Sequence, residues 1–174
     1  FPVPSLYRPC TFPVPSLYLP CTCHSSLGSK CMPHLPVVMP LLLQTSQSPE
    51  PALREVAVEQ LGHLVSIMGL HVRSYLPSLL ALARDHLKVV SSVQIHCISL
   101  LEHLCKALAD EFGQHLPPLM PRLLAILHSD RTERRLPTQR VLHALETFNQ
   151  NIHNQLHLVV PAVMRLCEQV ITNY

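Results

Sequence analysis

The sequence predicts an all-α fold, an α-solenoid of stacked antiparallel helix hairpins, and three observations carry that prediction. Four segments align without gaps: "HLPVVMPLLL" (34–43), "YLPSLLALAR" (75–84), "HLPPLMPRLL" (115–124) and "QLHLVVPAVM" (155–164). Their shared leucine falls at Leu35, Leu76, Leu116 and Leu156, with spacings of 41, 40 and 40 residues. That is the period of HEAT-type helical hairpins. A second helical body precedes three of these segments: "LGHLVSIMGLHV" from Leu61, "LEHLCKALADEF" from Leu101 and "VLHALETFNQNI" from Val141. Polar stretches separate the units: "QTSQSPEP" (44–51), "KVVSS" (88–92) and "SDRTERRLP" (129–137). A single hairpin cannot bury its own apolar face, whereas stacked hairpins share a continuous core.

In chain order, residues 1–26 form a proline-rich leader, the near-identical pair "FPVPSLYRPCT" and "FPVPSLYLPCT" followed by four further residues. Its prolines forbid a continuous helix and it has no place in the forty-residue ladder, so it is expected to be disordered. The repeat segment spans 27–174, with a lone B helix near 33–44 and full A–B hairpins near 52–88, 91–129 and 136–172. B helices open on Leu-Pro, since proline at the first helical turn gives up an N–H that would lack a partner anyway. A second proline, at Pro40, Pro121 and Pro161, predicts an irregular first turn or a helix start close to it.

The A helices show apolar columns Leu61/Leu101/Val141, Leu64/Leu104/Ala144, Met68/Leu108/Phe148 and Val72/Phe112/Ile152, at offsets that define one helix face. Gly69 and Gly113 are expected to close the first two A helices, with Asn149 and Asn151 in that role in the third. Neither end of the array carries a polar capping face. The stretch is therefore expected to be the middle of a longer solenoid, and the isolated chain to expose apolar faces and to self-associate or be only marginally stable.

Composition narrows function. Hydrophobic residues make up 48% of the 174, ample for a core, while charged residues are only 14% and the net charge is +2. No basic field exists to attract nucleic acid or anionic lipid. The continuous apolar runs, such as "VVMPLLL", fall short of the roughly 18–20 residues of a membrane span, so no direct membrane insertion is expected. Seven cysteines, four of them crowded into the first 31 residues, do not resemble a secreted disulfide scaffold. The N-terminal stretch has no basic n-region and no uninterrupted apolar h-region, so no secretory signal is expected and a reducing, cytoplasmic setting is.

Chemistry is sparse. There is no glycine-rich phosphate loop, no HRD or DFG kinase motif and no G-x-S-x-G elbow among residues that include only four glycines. No catalytic, cofactor-binding or metal-binding residue is assigned, and no cofactor is expected. His63, His103 and His143 recur at one position of successive A helices, but repeat descent aligns them without a ligand role and no four-ligand shell is complete. Cys21 and Cys23 with His24 lack C-x-x-C spacing. "DRTERR" (130–135) is the densest charge cluster, read first as a solvated turn. Met39, Met68, Met120 and Met164 occupy apolar helical positions and read as core.

Four strings, "LGSKCMPHLPVVMPLLLQ", "LREVAVEQLGHLVSIMGLHVRSYLP", "ALADEFGQHLPPLMPRLLAIL" and "RVLHALETFNQNIHNQLHLVVPAVMRLCEQ", resemble consecutive HEAT repeats of the target of rapamycin (TOR) kinase family, in collinear order from about Ser26 to Cys167. The resemblance implies a non-catalytic scaffold segment of a large serine/threonine kinase of the phosphatidylinositol-3-kinase-related class, in nutrient and growth signalling. It implies contacts with the remaining TOR chain, a dimer partner, Raptor-like or Rictor-like subunits and a small GTPase. The family is cytoplasmic and is also found at lysosomal or vacuolar membrane surfaces and in the nucleus. The alternative is a stand-alone HEAT-repeat adaptor that binds a peptide or protein. No kinase catalytic residue carries over, because no position here matches one.

Overall fold

The computed structural model describes residues 28–88 and 91–151, and beyond them His157, Val160, Pro161, Met164 and Glu168 singly. The leader, Ile152 and Cys167 lie outside the described residues. Among the described residues the long elements are all helices: α1 (Leu35–Thr45), α2 (Pro51–Met68), α3 (Leu76–His86), α4 (Ser92–Leu108), α5 (Leu116–Ser129) and α6 (Leu136–Asn151). A 3₁₀ segment, Gly28–His34, leads into α1; another, Gly69–Tyr75, joins α2 to α3; a one-turn helix, Asp110–Gly113, lies between α4 and α5.

The A helices stack α2 on α4 on α6, while α1, α3 and α5 pack respectively against α2, α4 and α6. The apolar columns cause this stack. Leu61, Leu101 and Val141 are fully buried, and every described member of the other three columns is buried as well. Burial of this kind stabilises by about 1.5–3 kcal/mol per large apolar side chain. Gly62 marks a close approach of α2 to α4, since a Cβ there would sit 3.2 Å from His103 Nδ1 and 3.8 Å from the Leu100 Cα.

Pro51–His86 is long and apolar enough by composition to cross a membrane. In the fold it is two helices broken at Gly69, and its apolar residues Val58, Leu61, Val65, Leu79 and Ala83 lie in the shared core.

The B helices differ from expectation at their second proline. Regular helix starts at Leu35 and Leu116 and runs on through Pro40 and Pro121. Each proline removes the hydrogen bond to the carbonyl four residues back, that of Pro36 or Pro117. Pro36, Pro40, Pro117 and Pro121 are all exposed, so water can satisfy the freed carbonyls and the helix need not stop. Pro161 is likewise helical and exposed.

Helix closure is also corrected. Gly69 has φ 53°, as expected, but in the next unit the positive φ belongs to Ala109, at 46°, whereas Gly113 is buried in the one-turn helix. Ala109 stands forty residues after Gly69, so the break follows the stacking register and not the nearest glycine. In the third unit α6 includes Asn149, and Asn151 is its last described residue, with Asn151 Nδ2 donating to the Thr147 carbonyl at 2.8 Å.

The strained alanine predicts a pair of opposite effects. Ala109→Gly should stabilise by about 1 kcal/mol, the relief of positive-φ strain exceeding the added freedom of the unfolded chain. Gly69→Ala should destabilise by about 1–2 kcal/mol. A Cβ at 69 meets nothing within 4 Å, so that loss would come from the backbone alone. Urea midpoints of the two variants moving in the same direction would contradict this.

Of the four methionines that the sequence places at apolar helical positions, Met39, Met68 and Met120 are buried as expected. Met164 is 56% exposed and Val160, one turn earlier, is 50% exposed, because no described element covers that face.

Candidate functional site

Among the described residues no three His, Cys, Asp or Glu side chains converge on a point that could hold a metal ion. The aligned histidines diverge: the His63 and His103 rings are 6.5 Å apart, but His143 turns to Glu102, with Nδ1 3.3 Å from Oε2. His103 is half-buried, and burial, then the neighbouring His63, Lys106 and Arg140, favours its neutral ring. Cys97 and Cys105 are buried and free, and burial pushes both thiols up to about 12. A thiol so protonated is a poor nucleophile.

The polar chemistry instead joins units. Between α2 and α4, Glu55 accepts a hydrogen bond from Ser92 Oγ at 2.6 Å and lies 3.3 Å from His96 Nε2. The Ser92 hydroxyl leads in holding the Glu55 carboxyl below its ordinary range, with His96 assisting against burial. Arg73 donates from Nε and Nη2 to the two Glu111 oxygens at 2.7 and 2.5 Å, a bidentate clasp between connectors. Arg122 on α5 donates to the Arg84 carbonyl on α3. Between α4 and α6, Arg140 donates to Ser99 Oγ at 2.9 Å and sits 3.4 Å from the buried Glu102. These contacts fix the rotation of each hairpin on the next.

An open groove of about 660 Å³ runs between α1, α3 and the loops before α2 and α4, lined by Leu43, Gln47, Arg54, Leu82, Asp85 and His86 among others. Its central charges have partners already. Arg54 donates to the carbonyls of Ser48 and Pro49, and Asp85 accepts from Lys88 at 2.8 Å.

The "DRTERR" stretch departs from a purely solvated turn. Asp130 is buried, and its Oδ1 accepts from the backbone N–H and hydroxyl of Thr132 at 3.0 and 2.7 Å. Oδ2 accepts from the N–H and hydroxyl of Thr138, in the first turn of α6, at 3.1 and 2.7 Å. The Thr132 and Thr138 hydroxyls hold the Asp130 carboxyl well below the usual carboxylate range. The sequence signal was the pair of threonines two and eight residues after the aspartate, around a Leu-Pro helix start.

Asp130→Ala should lower the melting temperature at neutral pH. The folded carboxyl titrates below its unfolded counterpart, so its contribution is complete above about pH 5 and is lost as pH falls below about 4 toward the folded value. The gap between the two proteins should therefore narrow at pH 3. An equal gap at pH 7 and pH 3 would refute this.

Comparison with known proteins converges on the repeats. Residues 21–173 match the family model described as importin subunit beta-1-like, TPR repeats. Among curated proteins, the chain is 34% identical over 141 residues to the serine/threonine-protein kinase mTor of Drosophila melanogaster and 36% identical over 149 residues to the serine/threonine-protein kinase TOR of Arabidopsis thaliana. It is 31% identical over 143 residues to the kinase TOR2 of Saccharomyces cerevisiae. The matches cover 81–82% of this chain and 6% of each kinase. The aligned stretch is helical repeat, and these 174 residues hold no kinase domain.

Proposed function

We propose that this chain, which belongs to the importin subunit beta-1-like TPR-repeat family, is a non-catalytic scaffold segment of a TOR-like serine/threonine kinase that acts through protein contacts. The observation that carries the reading is the match over 81% of the chain to 6% of the kinase, with the matched residues forming hairpins clasped unit to unit. A rigid stack with few free charges is suited to holding distant parts in register, not to turnover. Its partners in this reading are the rest of a TOR chain, a dimer partner, a Raptor-like or Rictor-like subunit and a small GTPase. The setting is cytoplasmic, including lysosomal or vacuolar surfaces, and the nucleus. A stand-alone adaptor is a second reading, favoured by the importin-like family match.

Two measurements test the first reading. Mixed with a Raptor-like or Rictor-like subunit, the chain should give inter-protein cross-links at Lys30, Lys88 or Lys106; none at saturating concentration would remove the partner assignment. Phosphotransfer from ATP to a generic protein substrate by the purified chain would overturn the scaffold reading outright.

A further inference from the structure

Eight arginines lie among the described residues. Five are bound within the fold: Arg54 and Arg84 to carbonyls of their own unit, Arg73 to Glu111, Arg122 to the Arg84 carbonyl, and Arg140 to Ser99 and Glu102. The other three, Arg131, Arg134 and Arg135, stand within five residues, all exposed, with no partner for any guanidinium among the described residues. Within residues 130–135 only Glu133 offsets them, since the Asp130 charge is buried under four hydrogen bonds. The corresponding stretches before α2 and α4 hold no arginine.

The backbone of the loop that carries them is held by hydrogen bonds at several points. Asp130 ties its start to α6, the Arg135 N–H donates to the Thr132 carbonyl at 3.1 Å, and Gln139 Nε2 donates to the Arg134 carbonyl at 3.1 Å. Arg135 itself holds φ 45°, a conformation unfavourable for a side chain with a Cβ and maintained by the surrounding bonds. Preorganised guanidinium forks recognise carboxylates in pairs of parallel hydrogen bonds, and a loop ordered in advance loses little entropy on binding.

We propose that Arg131, Arg134 and Arg135 form a docking site for an acidic segment of a partner protein, one that presents several Asp or Glu carboxylates. The proposal rests on the protein-contact reading above and adds the place and the chemistry of one contact.

Fluorescence anisotropy with labelled hexaglutamate tests it on the 174-residue chain at about 0.15 M salt, where charges farther apart than about 8 Å are screened. The chain should bind the peptide saturably, and Arg131→Ala/Arg134→Ala/Arg135→Ala should weaken binding at least about tenfold, each exposed pair contributing a factor of about two to five. Replacing all three by lysine should restore only part of the affinity, because the ammonium lacks the planar fork. Lys30→Gln, outside the loop, should bind as the parent does. Arg131→Glu/Arg134→Glu leaves the unusual backbone of residue 135 untouched and keeps the test valid if the triple alanine variant misfolds by circular dichroism. No binding by the parent chain, or unchanged binding by a folded loop variant, would overturn the proposal. So would a single-stranded oligothymidylate that binds at equal or higher affinity, which would mark a general polyanion site. If cross-links to a whole Raptor-like or Rictor-like subunit persist undiminished in the triple variant, only this inference fails; if the parent chain gives none, the partner reading fails as well.

Discussion

Phe112→Ala should destabilise the folded chain by about 3–5 kcal/mol, the cost of removing a large aromatic ring from a closed core. Phe112 is fully buried in the one-turn helix after α4, and its ring centroid lies 5.9 Å from that of Phe148 on α6, tilted by 42°. It therefore joins two units as well as filling one. Unlike a single-unit core residue, it should couple to its neighbour: a Phe112→Ala/Phe148→Ala cycle should return about 0.5–1.5 kcal/mol of interaction beyond the burial of each ring. Leu142→Ala, at a side chain 54% exposed on the same α6, should change stability by less than about 0.5 kcal/mol. Thermal melts read both, at about 2–4 °C per kcal/mol for a chain of this size. A Phe112→Ala melting point within 2 °C of the parent would contradict the unit-bridging role.

The columns that predicted Phe112 and Phe148 were legible because helix burial writes itself into sequence as a period, and a forty-residue recurrence writes it three times. Every described column member is buried. What could not be read depends on the neighbouring unit. Ala109 looks like an ordinary helix former, and only the stacking register forty residues after Gly69 forces it to a positive φ. Pro40 and Pro121 look like helix breakers, yet both lie on an exposed face where the lost hydrogen bond can be replaced by water. Asp130 was visible as charge but not as a buried acceptor, since four hydrogen bonds from two threonines become apparent only once the chain has turned into α6. The arginines of residues 130–135 are visible in the sequence as a cluster. Their distinctness needed the other five to be shown bound.

Glu102 is the strongest instance of a residue whose position depends on its neighbours, and it carries the second large prediction. It follows Leu101 in a helix where an acidic residue would be expected at the surface, yet it is only 2% exposed and Oε1 has no hydrogen-bond partner. Compensation comes through charge and proximity: Arg140 Nε at 3.4 Å from Oε1 and His143 Nδ1 at 3.3 Å from Oε2, both supplied by α6. A buried ion pair is costly to break and cheap to replace, because removing one partner strands the other charge while removing both strands none. Arg140→Leu alone should cost about 3 kcal/mol, the low end of the usual range, since Arg140 is 35% exposed and His143 remains. Glu102→Leu/Arg140→Leu should recover most of that loss and stand within about 1 kcal/mol of the parent. Urea denaturation of the single and double variants decides the matter. If the double variant is as unstable as Arg140→Leu, the pair stabilises the α4–α6 contact directly, and its role is more than neutralising a carboxylate that the stack has buried.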